Sequence, residues 1–305
     1  MKVEFGYSPP VGDREFERIN PGTFVSDLNA ALRVASTGFT SVWISDHLMF
    51  ENKLRLECWT LLTWMAAQHP EFQLGTIVLS NSFRNPALMA KMAASLQYLS
   101  SGRFVLGYGA GWHEPEYTAY GYDYASAPER IAMLAEGIHV IRSVWTKRPA
   151  NFEGQFYHVR GVYCEPAPDP IPPIMVGGTG EKYTLRVVAE HADWWNVMPG
   201  LPPASIRKKL SVLYEHCRTI GREGDAIRKT MFLPVIVNDS YQVAKRKAEK
   251  INPWDWALVG DPVSIIDQLQ EFREMGFDLF QVMFPNFPDT DDMKLFMDKV
   301  LAHLV

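Results

Sequence analysis

The chain has 305 residues, 47% of them hydrophobic and 21% charged, with a formal net charge of -5. That length and apolar content suffice for the full core of one α/β barrel or of two smaller domains, and we read a single domain over 1–305. The mild acidity offers no basic surface to nucleic acid or to an anionic membrane, so neither is an expected partner. Cys58, Cys164 and Cys217 lie far apart, without the paired spacing of a zinc site or redox motif, which suits a reducing cytoplasm. The opening Met1-Lys2-Val3-Glu4-Phe5-Gly6-Tyr7 runs straight into a strand-like pattern, and no apolar run is long enough to span a bilayer. The expectation is a soluble, cytoplasmic protein.

In chain order, Val3 to Ser8 reads as a strand, Thr23 to Thr37 as a helix, Ser41 to Ser45 as a strand and Cys58 to His69 as a helix. Leu74 to Ser80 reads as the third strand, Pro86 to Ser100 as a helix with Pro at its start, Phe104 to Gly109 as the fourth strand and Ala127 to Trp145 as a long helix. The rhythm then breaks. Proline-rich 149–173 holds a small hairpin over Phe152 to Val159, an insertion between barrel units. Strand Ile174 to Val176, helix Glu181 to His191, strand Trp194 to Val197, helix Pro203 to Gly221 and strand Lys229 to Val237 follow. After an irregular stretch come helix Pro262 to Met275, strand Leu279 to Phe284 and a terminal helix from Asp291. A doubly wound sheet shares this rhythm, but eight strand-helix units in one chain fit a closed (β/α)8 TIM barrel.

Three segments carry chemistry. Ser41-Val42-Trp43-Ile44-Ser45-Asp46-His47 brings an apolar strand directly into a carboxylate beside an imidazole, at the strand end where barrel enzymes gather their reactive groups. Taken alone, such a dipeptide more often makes a cap and a solvent-facing ring than a reactive site, and it is the rest of the chain that reverses this. Gly107-Tyr108-Gly109-Ala110-Gly111-Trp112 ends the fourth strand with Gly-x-Gly-x-Gly spacing, a poor match to the Rossmann fingerprint. Of the acid, base and aromatic groups that follow it, Trp112 and Glu114 are the cavity candidates. Gly177-Gly178-Thr179-Gly180 lies between the fifth strand and its helix, where backbone N–H groups can hold a phosphate or simply make a turn. The eight histidines are scattered and no metal site is expected; no Gly-x-Ser-x-Gly elbow is present. The tryptophans Trp43, Trp59, Trp64, Trp194 and Trp195 suit core or cavity lining.

Together with Pro173 to Lys182, Ala189 to Asn196 and Leu258 to Pro262, these segments resemble the bacterial-luciferase-like superfamily over nearly the whole chain. The nearest likeness is to the branch using coenzyme F420, an 8-hydroxy-5-deazaflavin. That resemblance implies an oxidoreductase with His47 beside the deazaflavin C5 as proton donor or stabiliser of the developing charge and Asp46 hydrogen-bonding the ring; Glu114, from the residues alone, is the second acid-base candidate. The resemblance places a bulge with a non-proline cis peptide at Ile77-Val78, sets Gly111 and Trp112 against the cofactor, and puts the phosphate on Gly177, Gly178, Thr179 and Gly180. Sugar-phosphate dehydrogenases of the branch carry a catalytic Glu where this chain has Trp112, which favours an apolar or conjugated substrate. Two other readings remain: an FMN-dependent two-component monooxygenase served by a separate reductase, and a non-catalytic flavin-binding protein. Oxygen uptake separates the first pair. A homodimer is the family-level expectation.

Overall fold

The computed structural model describes residues 3–12, 19–198, 200–251 and 257–304; Met1 and Lys2 of the opening run lie outside them. The first half of the chain forms β1 (Glu4–Tyr7), α1 (Phe24–Ala35), β2 (Ser41–Ile44), α2 (Cys58–Gln68), β3 (Gln73–Thr76), β4 (Leu79–Ser80), α3 (Pro86–Leu99), β5 (Phe104–Gly109), α4 (Glu114–Ala119) and α5 (Ala127–Thr146). An antiparallel hairpin, β6 (Ala150–Glu153) and β7 (His158–Val162), stands apart from the main sheet. Then come β8 (Ile174–Gly177), α6 (Thr184–His191), β9 (Trp194–Val197), α7 (Pro203–Thr219), β10 (Arg228–Val237), α8 (Tyr241–Ile251), β11 (Leu258–Gly260), α9 (Pro262–Glu274), β12 (Phe277–Met283) and α10 (Asp291–Phe296).

Parallel pairing runs β1-β2-β3-β5-β8-β9-β10-β12 and returns from β12 to β1, closing an eight-stranded (β/α)8 barrel. Strands buried on both faces read as unbroken apolar runs, which is why Ser41–Ile44 is buried throughout. Inside the barrel, Trp43, Val105, Met175, Phe232 and Leu279 pack as one cluster beneath the C-terminal strand ends. The Trp43 indole crosses this interior, and the neighbouring strands make room for it with glycine: a Cβ on Gly6 or Gly75 would fall inside the indole. Trp195 is also fully buried, while Trp59, Trp64 and Trp194 are half-buried.

Three departures from the sequence reading have physical causes. The third strand is split, because the chain bulges at Ile77-Val78, where the peptide bond is cis, before β4 resumes pairing with β5. The irregular stretch after Val237 holds α8 and β11; α8 is so rich in Lys, Arg and Glu that only Ala244 is buried, which leaves almost no apolar stripe to read. Helix α6 begins at Thr184 rather than Glu181, because the glycine turn continues through 181–183. The inserted hairpin is tied down at its tip: Glu136 of α5 accepts from the backbone N–H groups of Gln155, Phe156 and Tyr157 at 2.8, 2.9 and 3.3 Å. Asn81 donates to the Tyr157 hydroxyl at 2.8 Å. Among the described residues, no helix is long and apolar enough to cross a membrane.

Candidate active site

A cavity of about 400 Å³ opens at the C-terminal ends of the strands, within the range of small-molecule and cofactor sites. Its wall includes Asp46, His47, Ile77, Val78, Gly111 and Trp112, with Gly177 and Gly178 from the end of β8. Thus four loops distant in sequence meet at one mouth, as a barrel requires.

His47 follows β2, is 9% exposed, and packs its ring against Phe50 at 4.6 Å and edge-on to Trp112 at 5.5 Å. Its Nδ1 lies 2.9 Å from Glu116 Oε1, while Glu116 Oε2 accepts from the Leu48 backbone N–H at 2.7 Å. Burial pushes the Glu116 carboxyl upward, but the His47 hydrogen bond and charge, with the Leu48 and Met49 amides, outweigh it and hold the group below its ordinary range. An ionised carboxylate only accepts, so Nδ1 carries the hydrogen of this pair.

Asp46 lines the cavity, yet its carboxylate is fully buried and already engaged. Arg84 donates to both oxygens at 2.8 and 3.0 Å, and the Ser80 backbone N–H donates at 2.9 Å. A buried carboxylate needs a cation, and Arg84 supplies it; with Asp46 on the cavity wall, its expected hydrogen bond to a cofactor ring stands as a proposal. Glu57, which caps α2 through the Trp59 and Thr60 amides, engages the same guanidinium. Asp46 therefore fixes β4, immediately after the bulge, to the end of β2.

Glu114 stands away from the cavity wall. It is exposed at the first turn of α4, whereas Glu116 is 2% exposed and bonded to His47. Two residues on a helix stand about 200° apart, so only one of the pair can face the barrel. Gly111, at φ 73°, lets the loop pass over Tyr117 and Ser80, whose hydroxyls are 2.7 Å apart; a Cβ there would strike both. Gly178 adopts φ 126° at the turn out of β8. Thr179 and Gly180 lie beyond the wall, and Thr184 reaches it in their place.

The sequence reading also missed Arg130. It is 7% exposed on α5, lines the cavity, stacks over Tyr124 at 4.0 Å and donates to the Ala125 carbonyl. Its Nε is buried without a hydrogen-bond partner, and no carboxylate pairs with it among the described residues. A buried cation on a cavity wall with no internal counter-ion suits an anionic ligand group. Among the described residues no cluster of His, Cys, Asp and Glu could hold a metal ion.

Residues 20–256 match the family model described as luciferase-like monooxygenase. The chain is 34% identical over 167 residues to the F420-dependent glucose-6-phosphate dehydrogenase of Amycolatopsis mediterranei, a match covering 53% of this chain and 48%, about half, of that protein. With the protein of the same name from Nakamurella multipartita it shares 26% identity, covering 99% of this chain and 96% of the relative. An F420-dependent secondary alcohol dehydrogenase, solved with an F420-acetone adduct, superposes with a TM-score of 0.83 at 19% identity over 99% of both chains, a likeness of fold. With its model matched over most of the length and its barrel shared, the chain belongs to the luciferase-like monooxygenase family.

Proposed function

We propose that this protein is a coenzyme F420-dependent oxidoreductase that moves a hydride between the deazaflavin C5 and an apolar or conjugated organic substrate. The observation that carries the reading is the His47–Glu116 pair on the wall of a cavity sized for a cofactor. The residues fit the group. Arg130 has an orphaned buried Nε on the cavity wall, and glycine at 177 lets the end of β8 pack closely against Val78 of the bulge, where a Cβ would lie 3.0 Å from the valine side chain. The names of the relatives favour F420 over FMN.

Bound deazaflavin supplies the hydride chemistry. The chain's own work is positioning and proton supply. Glu116 holds His47 so that Nε2 exchanges the proton that accompanies transfer. Arg130, Gly177 and Gly178 hold the phosphate. Pro9, Pro10, Val11, Trp112, Met198 and Met283 make part of the cavity wall apolar, which supports an apolar substrate over a sugar phosphate. A homodimer, a cytoplasmic location and a single domain over the chain belong to the same proposal.

The test is a titration of the purified protein with coenzyme F420 and with FMN, followed by oxygen consumption. Tighter binding of F420 without oxygen uptake is expected. Preference for FMN, with substrate-dependent oxygen uptake when reduced flavin is supplied, would move the assignment to the monooxygenase reading and to a partner reductase.

A further inference from the structure

Asn196, near the end of β9, is 1% exposed and lines the cavity. Its amide nitrogen donates to Thr230 Oγ1 at 2.9 Å and to Gln281 Oε1 at 3.0 Å, both on fully buried residues. The orientation of the amide follows from Thr230. The hydroxyl has one hydrogen, with the Trp195 carbonyl and the Met175 sulfur as its acceptors, each 3.3 Å away. With the hydroxyl hydrogen directed at one of these, the Thr230 lone pairs face Asn196, and the structure turns the amide NH2 toward them. Both of its hydrogens are then committed. The remaining atom, Oδ1, has no partner among the described residues, on a side chain that borders the cavity.

The oxygen is open to the cavity rather than sealed in the core, so it presents an acceptor to whatever the cavity holds. Around the barrel, β9 stands four strands from β2, so Asn196 lies on the wall opposite His47. We infer that Asn196 is a specificity-determining residue whose Oδ1 accepts a hydrogen bond from an N–H or O–H of the cofactor ring, an inference that rests on the deazaflavin reading. The deazaflavin ring has two such donors, the imide N3–H and the 8-hydroxyl. FMN shares the first and lacks the second.

The experiment is a fluorescence titration of wild type, Asn196→Ala and Asn196→Asp with 8-hydroxy-5-deazariboflavin, its N3-methyl analogue and its 8-methoxy analogue. Thermal melting checks that each variant is folded. Asn196→Ala should weaken binding of the parent ring about ten-fold. One methylated analogue should show a similar loss on wild type and no further loss on Asn196→Ala, which identifies the donor. Asn196→Asp keeps an acceptor and should keep the discrimination, so the result stands even if the alanine variant does not fold. Equal binding of all three rings to wild type, or a methyl penalty that persists on Asn196→Ala, would overturn the inference while leaving the deazaflavin reading intact. Failure of the parent ring to bind wild type would overturn both.

Discussion

Replacing Glu116 by glutamine keeps the side-chain length but removes the charge and one acceptor. The carboxylate serves three donors, His47 Nδ1 at 2.9 Å, the Leu48 amide at 2.7 Å and the Met49 amide. Glutamine has one acceptor oxygen, so its NH2 must face one of these N–H groups. The charge-assisted bonds become neutral ones, and the bond to His47 survives only if the imidazole presents an unprotonated Nδ1 to the amide NH2. With charge-assisted bonds contributing about 1.5–3 kcal/mol net and neutral ones about 0.5–1.5, the variant should lose roughly 2–4 kcal/mol of folding stability. The second effect is chemical. Neutral His47 in the wild type carries its proton on Nδ1; in Glu116→Gln it should shift toward the Nε2–H tautomer, which ¹⁵N NMR of the imidazole resolves. Single-turnover transfer between deazaflavin and a substrate drawn from a panel of apolar ketones and conjugated enones should slow roughly 10–100-fold, with cofactor Kd changed by less than about two-fold. Urea unfolding supplies the stability arm. A variant with the wild-type tautomer and the wild-type transfer rate would refute the assignment of Glu116 as the residue that orients His47.

The same carboxylate makes stability depend on acid. Its pKa is lower folded than unfolded, so its contribution is complete above the unfolded value of about 4.3 and is lost as pH falls through the folded value. The stability gap between wild type and Glu116→Gln, measured by urea unfolding, should therefore narrow between about pH 5 and pH 3, and a constant gap across that range would contradict the assignment. Arg130→Met should weaken binding of phosphate-bearing F420 roughly 10–100-fold while changing the phosphate-free riboside by less than about two-fold; an equal loss on both would place the guanidinium away from the phosphate. Gly75→Ala, which drives a methyl into the Trp43 indole, should cost about 1–3 kcal/mol or more in thermal or urea unfolding. An unchanged midpoint would show that Trp43 does not fill the barrel as described.

How much of this was legible in the sequence varied with the kind of signal. The buried strands were legible because parallel strands covered on both faces carry unbroken apolar runs, as in Ser41–Ile44. The glycine turns were legible because backbone geometry at Gly111 and Gly178 leaves little alternative. Partner choice was not. Glu114 and Glu116 are equivalent until α4 is known to begin between the Gly111 turn and Glu116, after which the helical period decides which one faces inward. Arg84 lies 38 residues from Asp46, and only the rule that a buried carboxylate needs a cation hinted that some arginine had to come. Arg130 lay inside a helix already explained by packing, so its cavity-facing guanidinium left no mark on the pattern.

The way Trp43 lies across the barrel bears on the order of events in catalysis. The indole and its neighbours Val105, Met175 and Leu279 stop the interior beneath the cavity, so nothing passes through the barrel from below. On the proposed reading, two molecules that enter from the loop side would bind in order of depth, cofactor before substrate and product before cofactor, an order set from the floor by a packed tryptophan.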